Sequence, residues 1–336
     1  MKKLQISKGT LATLTLALVA CAGPALYPTV PTVQNVQSQV DRVQKLAGND
    51  LKQLVRLCNP QPAERAKASE QADDHIRRLI ARPAPPPMRV FDNLYYVGGD
   101  WVSAWILKTS KGLILIDALN NQQEVQDLIE GGMIKLGLDP KDIRYLVITH
   151  GHGDHYGGAD YLVRKYGMKV VASDIDWKMM HNHPEFESKV WGPPPPRDVS
   201  VKDGDQLQLG DTVMTMHVTP GHSEGTLSPI FEVKNGSQSH AIMLWGGTSF
   251  NFGKDFHRLE SYSDSTERMR QVAAQRRVEV LISNHASFDN SIFKMKAWAA
   301  AHQTGPHPFV TGPEVVDRSL EIMGICARAQ HERFRL

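Results

Sequence analysis

From Val90 onward, short apolar runs alternate with longer amphipathic ones, and the change of period marks strands giving way to helices. Residues 94–98, 103–109 and 112–117 read as successive strands, punctuated by Gly98-Gly99 and Ser110-Lys111-Gly112. An amphipathic helix follows at 122–136, and the apolar run 143–149 reads as a buried strand leading straight into a histidine cluster. A helix at 159–166 and a strand at 169–172 precede a loop-rich stretch to 205. Strands at 206–209, 212–219, 227–233 and 241–245, a helix at 261–276, a strand at 278–283 and helices at 291–301 and 313–330 complete the pattern. Two similar halves of this α/β kind predict two sheets packed face to face with helices outside.

Before Val90 the pattern is different. A basic start (Lys2, Lys3, Lys8) and an apolar run at 11–20, too short to span a bilayer, read as an export signal over residues 1–21. Leu18-Val19-Ala20-Cys21 resembles the lipobox of bacterial lipoproteins, with Cys21 as the lipidated residue, while Ala20-Cys21-Ala22 also fits an ordinary cleavage site. The expected location is periplasmic or secreted, with a lipid anchor in the outer membrane through Cys21 on the first reading. Residues 22–88 form an N-terminal extension: a Pro-rich tether at 25–33, helical spacing over 36–57 broken at Gly48-Asn49-Asp50, a short helix at 73–81 and a Pro-rich linker at 83–87. Residues 89–336 form the main domain.

With Cys21 lipidated or lost, Cys58 and Cys326 remain as a pair in an oxidising compartment. They read either as a bridge tying the extension to the last helix or as two isolated buried thiols. The formal charge of +2 falls to −1 once Lys2, Lys3 and Lys8 are set aside, which leaves no basic field to recruit nucleic acid.

The chemistry concentrates in His150-Gly151-His152-Gly153-Asp154-His155. Histidines at i and i+2 of an extended loop lie on one side and reach one ion, whereas Asp154 and His155 follow a turn and face a second. Gly151 and Gly153 are expected to keep side chains away from the metals and to let the backbone bend. Imidazole and carboxylate without thiolate suit Zn²⁺. A loose surface histidine run would explain neither the preceding strand nor the embedded aspartate.

The stretch Thr149 to Gly158, T-H-G-H-G-D-H-Y-G-G, resembles the signature of the metallo-β-lactamase superfamily, with His222 in Thr219-Pro220-Gly221-His222-Ser223 and His285 in Ile282-Ser283-Asn284-His285 as its later histidines. It is most similar to the all-histidine third subclass of the lactamases. The resemblance implies a four-layer αββα sandwich and two Zn²⁺ ions, the first on His150, His152 and His222, the second on Asp154, His155 and His285. It also implies that Asp117 lies beneath the metal loop and orients a ligand, although a turn-capping aspartate after a strand is the plainer reading. The thioesterase, lactonase and nuclease branches carry a bridging aspartate after the 241–245 strand. Here Leu244-Trp245-Gly246-Gly247-Thr248 has none.

The implied activity is hydrolysis by a zinc-activated water, oriented by Asp154, that opens a β-lactam or similar cyclic amide in a small-molecule substrate. The same machinery acting on a lactone, ester or xenobiotic is the alternative within enzymes, and a non-catalytic zinc-binding lipoprotein is the alternative outside them. No G-x-S-x-G elbow supports a serine hydrolase. Thr248 and Ser249, on the loop after the 241–245 strand, and Ser223, beside His222, are the expected substrate contacts. Tyr156 either reaches the cleft or packs against the following helix. Residues 176–196, with a four-proline run, are expected to wall the cleft, and His181 and His183 read as a solvated pair.

Overall fold

Leu113, Ile114, Leu115 and Ile116 are all buried, but in two different places. Leu113 and Leu115 join an apolar cluster with Ile106, Leu146, Ile148 and Val170, while Ile114 and Ile116 join another with Trp105, Leu107, Val147 and Val171. Successive side chains of a strand point to opposite faces, so a strand apolar at every position lies between two dry layers. The computed structural model describes residues 30–336; the expected export signal and the expected lipidation site at Cys21 lie outside them.

Strands β1 (Met88–Arg89), β2 (Leu94–Tyr96), β3 (Trp105–Thr109), β4 (Gly112–Ile116), β5 (Ile143–Val147), β6 (Lys169–Ser173) and β7 (Val199–Val201) form a seven-stranded sheet in chain order. Pairing is antiparallel to β4 and parallel beyond it. Strands β8 (Gln206–Leu209), β9 (Thr212–Thr215), β10 (Ile230–Asn235), β11 (Gln238–Trp245) and β12 (Val278–Ser283) form the second sheet, antiparallel except for β11 with β12.

Three apolar clusters fill the three gaps of a helix–sheet–sheet–helix stack. The middle one joins the inner faces of both sheets, with Leu207, Met214, Phe231, Val233, Ile242, Leu244, Val280 and Ile282 from the second. One outer cluster backs the first sheet with Val125, Ile129, Leu162 and Trp177, and the other backs the second with Leu259, Met269, Leu320 and Met323. The fold is the αββα sandwich of the metallo-β-lactamase type.

Several boundaries differ from those expected. Helix Asp174–Asn182 occupies part of the stretch read as loop, and Ser173 caps it by accepting from the Asp176 amide at 3.1 Å. Helix Phe256–Arg276 starts five residues before the expected 261, because Asp255 caps it by accepting from the Arg258 amide at 3.1 Å. The short strands β1 and β7 carry too few residues to show a period.

Residues 31–336 form one compact unit, which takes in the extension from Pro31 onward. Helix Val33–Ala47, capped by Thr32, buries Val43 and Ala47 with Leu51, Leu54 and Leu57 against helix Pro313–Arg333. Arg42 pairs with Glu321 along the same seam. Cys58 and Cys326 form a disulfide with their Cα atoms 4.5 Å apart and a sequence separation of 268. Titration of the denatured, unreduced protein should find neither thiol free. Replacing both cysteines by serine should lower the unfolding free energy by roughly 2–5 kcal/mol; an unchanged urea midpoint would show that the bridge contributes nothing.

Candidate metal centre

At the carboxyl end of β4 the backbone turns through Asp117, whose φ of +61° is one that aspartate tolerates better than most residues. Its fully buried carboxylate accepts from the Thr149 amide and the Thr149 hydroxyl, each at 2.8 Å, and from His155 Nδ1 at 2.7 Å. Asp117 therefore grips both ends of the loop that leaves β5, and it orients His155 as well as closing a turn.

His150, His152 and His222 bring one nitrogen each to a common point, all within 4.8 Å of one another. Beside them, His155 Nε2 lies 3.2 Å from His285 Nε2 and 3.4 Å from Asp154 Oδ2, which lies 3.6 Å from His285 Nε2. The structure thus brings together all six residues expected as ligands, in two trios.

The outer nitrogens decide what the inner ones present. His222 Nδ1 donates to the Ser249 carbonyl at 2.7 Å, and His285 Nδ1 donates to the Trp101 carbonyl at 2.9 Å. Asn284 Nδ2 spends its two protons on the Gly246 carbonyl at 2.6 Å and Thr149 Oγ1 at 2.9 Å, so His150 Nδ1 is the donor to Thr149 Oγ1 at 3.2 Å. Each ring then turns the lone pair of Nε2 inward. His150 faces His222 across 3.0 Å, and His155 faces His285 across 3.2 Å. Two facing lone pairs, as on His150 and His222, repel unless a cation lies with them, which is the condition a metal site fulfils; His155, held protonated by its two carboxylates, instead donates toward His285 or Asp154 until a metal displaces that proton.

Electrostatics agree with this. Burial and the neighbouring imidazoles hold His150 and His222 well below the ordinary histidine range. His285 is pushed down to about 4, by burial first and then by His155, against the pull of Asp154. For His155 burial acts downward, but the carboxylates of Asp154 and Asp117 outweigh it and raise the ring to about 10. Burial pushes Asp154 up, yet the surrounding imidazoles keep its carboxyl well below the carboxylate range.

Other residues brace the centre without having stood out in the sequence. Buried Asp176 accepts from the Gly151 amide at 2.8 Å, the Ser223 hydroxyl at 2.7 Å and the Gly225 amide at 2.9 Å, joining the two loops that carry His150, His152 and His222. Glu185 lies 3.2 Å from His152 Nε2 and accepts from Arg258 at 2.8 Å. Burial raises the Glu185 carboxyl, but His152 and Arg258 prevail and hold it at about 2. Asn284, next to a ligand and amid strand-end turns, had the strongest positional signal of the group.

The glycines of the cluster serve a different neighbour from the one expected. A Cβ on Gly151 would meet Met179 at 2.7 Å, and one on Gly153 would meet the Trp191 ring at 2.3 Å. They make room for the overlying 174–191 segment, not for the metals.

A cleft of about 930 Å³ opens over His152, Asp154 and His222. Its walls include Trp101, Phe186, Trp191 and Asn251, and residues of the extension between Glu64 and Leu79 close one side. The 184–191 segment does wall the cleft. It is fastened to the extension by Ser188 donating to Asp73 at 2.6 Å and Arg65 donating to the Glu185 carbonyl at 3.1 Å.

Three expected substrate contacts face elsewhere. The Ser223 hydroxyl is taken by Asp176, and buried Thr248 turns its hydroxyl to Ser283 Oγ at 3.3 Å. Tyr156 is buried among Ala159, Leu162 and Trp177, as the packing reading has it. Ser249 meets the centre through its carbonyl, on His222. His181 and His183 are exposed and belong to neither trio.

The model of the metallo-beta-lactamase superfamily matches residues 97–235. The crystal structure of BJP-1, a subclass B3 metallo-β-lactamase of Bradyrhizobium japonicum, is similar with a TM-score of 0.61 and 28% identity, covering 71% of this chain and 92% of that one. The exodeoxyribonuclease WalJ of Streptococcus pneumoniae is 34% identical over 80 residues, 24% of this chain and 28% of that protein. A hydroxyacylglutathione hydrolase of Cereibacter sphaeroides is 25% identical over 124 residues, 36% of this chain and 43% of that protein. The chain spans less than half the length of these two curated relatives.

Asp117→Asn keeps the tolerated backbone but loses a charged acceptor for three buried donors, and should cost about 2–4 kcal/mol in chemical denaturation. A loss below 0.5 kcal/mol would show that the donors find other partners. With His155 raised to about 10, metal entering its trio at pH 8 must displace a proton. Weakly buffered titration with zinc should release about one proton for that site, and no release would contradict the His155 environment.

Proposed function

We propose, on the premise that the chain belongs to the metallo-β-lactamase superfamily, that this hydrolase is a dinuclear zinc enzyme opening β-lactams or similar cyclic amides. The observation that carries the reading is the pair of close imidazole couples, His150 with His222 and His155 with His285, beside a cleft lined by His152, Asp154 and His222. The donor set fits zinc: five imidazoles and one carboxylate, in two trios without a thiolate. Zinc bound there supplies an activated water at neutral pH and polarises the carbonyl under attack.

The residues around it have separate tasks. His150, His152 and His222 hold the first ion, and Asp154, His155 and His285 the second. Asp154 stays ionised, lines the cleft and orients the attacking water by accepting its hydrogen bond. Trp101, Phe186 and Trp191 give the cleft an apolar wall that thins the water around the reacting carbonyl.

A second reading rests on the hydroxyls. Ser223 and Thr248 do not face the cleft, so the donors expected for a substrate carboxylate are missing from that side. This favours a neutral lactone or ester as substrate, or else β-lactams held with a high KM. The buried disulfide supports an oxidising compartment, so the protein is taken to be periplasmic or secreted, with Cys21 as the lipid anchor if the lipobox is used.

Turnover of the zinc-loaded protein on a penicillin, a cephalosporin, a carbapenem, an uncharged lactone and an aryl ester tests both readings. Lactam hydrolysis with a high KM is expected, abolished by chelation and restored by zinc. Asp154→Asn should lower kcat about 100-fold or more while the protein stays folded. Inert lactams beside a turned-over lactone would transfer the protein to the second reading; wild-type rates in Asp154→Asn would remove Asp154 from the mechanism.

A further inference from the structure

His152 differs from the other imidazoles of its trio. His150 and His222 present Nε2 to one another across 3.0 Å, with Nδ1 tied outward. On His152 it is Nε2 that is engaged, at 3.2 Å from Glu185 Oε2, which leaves Nδ1 as its inward nitrogen. Its ring stands at 88° to that of His150 and 76° to that of His222, and Phe186 packs edge-on against it at 4.9 Å.

Glu185 is itself clamped. Its Oε1 accepts from Arg258 Nη1 at 2.8 Å, and Arg258 Nε donates to the carbonyl of Gly221, the residue before His222, at 2.8 Å. The guanidinium lies over the Phe252 ring at 4.2 Å, and the side chains of His152, Glu185 and Arg258 are only 4, 14 and 5% exposed. Taking a carboxylate and a guanidinium out of water costs several kcal/mol per ion, and their attraction rarely returns more than that. A surface pair would serve stability as well, so the burial of this one at a ligand asks for another reason.

We propose that Glu185, fixed by Arg258, is a positioning residue that locks His152 into the tautomer and ring orientation in which Nδ1 binds the first metal. Through Gly221 the same guanidinium also sets the approach of His222, so a single cation governs two of the three ligands. A carboxylate on the far N–H of an imidazole strengthens its donor nitrogen, and losing such a partner typically weakens metal binding by about 10–100-fold. The proposal rests on the zinc-hydrolase reading and extends it to residues outside both trios.

The test uses the metal-depleted full chain, with zinc affinity read by competition against a chromophoric chelator and the visible spectrum of the Co²⁺ form as a second readout. Glu185→Ala should weaken one of two ions by about 10–100-fold, leave the other unchanged and move the Co²⁺ ligand-field bands. Glu185→Gln keeps an acceptor without the charge and should fall between Glu185→Ala and wild type. Thermal unfolding of the metal-free variants reports whether the fold is kept, and Glu185→Gln decides the matter if Glu185→Ala does not fold. Zinc titrations of folded variants that superimpose on wild type would overturn the proposal and leave the hydrolase reading intact. A wild-type chain that takes up no zinc would overturn the hydrolase reading itself.

Discussion

Asp117 accepts three hydrogen bonds where water does not reach, and the rest of the centre hangs from them. A buried carboxylate is costly unless donors surround it, and these donors come from the first and last ligand-bearing parts of one loop. The chain of contacts continues past Asp117: the hydroxyl of Thr149 accepts from Asn284, and Asn284 also donates to the Gly246 carbonyl. Those four residues sit at the carboxyl ends of β4, β5, β12 and β11, so one hydrogen-bonded line ties the two sheets together where they open. Imidazoles carried on such ends keep their spacing because the strands beneath them cannot slide independently.

What the sequence makes legible follows from this economy. The strands could be read because Leu113 to Ile116 and Leu146 to Ile148 must be apolar on both faces of an inner sheet, and the ligands because histidine and aspartate cluster right after them. Residues acting from far along the chain left no such mark. Glu185, Arg258 and Asp176 are ordinary charged residues in a loop-rich stretch, a helix start and an unexpected helix, and only packing brings them to His152, Gly151 and Gly221. Adjacency to a ligand also misleads. Ser223 follows His222 and Thr248 precedes Ser249, but in both cases the neighbouring hydroxyl is spent on an internal partner. Gly151 and Gly153 were correctly marked as needing space, although the space is filled by Met179 and Trp191 and not by metal.

One side of the cleft comes from a part of the chain outside the family match. Residues 97–235 supply His150, His152, Asp154, His155 and His222, whereas His285 and the extension come from beyond. Residues 64–79 then close the cleft, held by Asp73 and Arg65 to the 184–191 segment. The extension thus lines one side of the cleft, whereas the six candidate ligands sit in the loops and turns at the strand ends.

The disulfide has a consequence for the order of assembly. Cys58 is made well before its partner, at a sequence separation of 268, and the surface that receives helix Val33–Ala47 is the last helix of the chain. Helix Val33–Ala47 has no seat until that last helix is made, and every strand of both sheets precedes it in the chain. The bridge can therefore close only after Cys326 has been made, and it then ties the extension to the end of the chain.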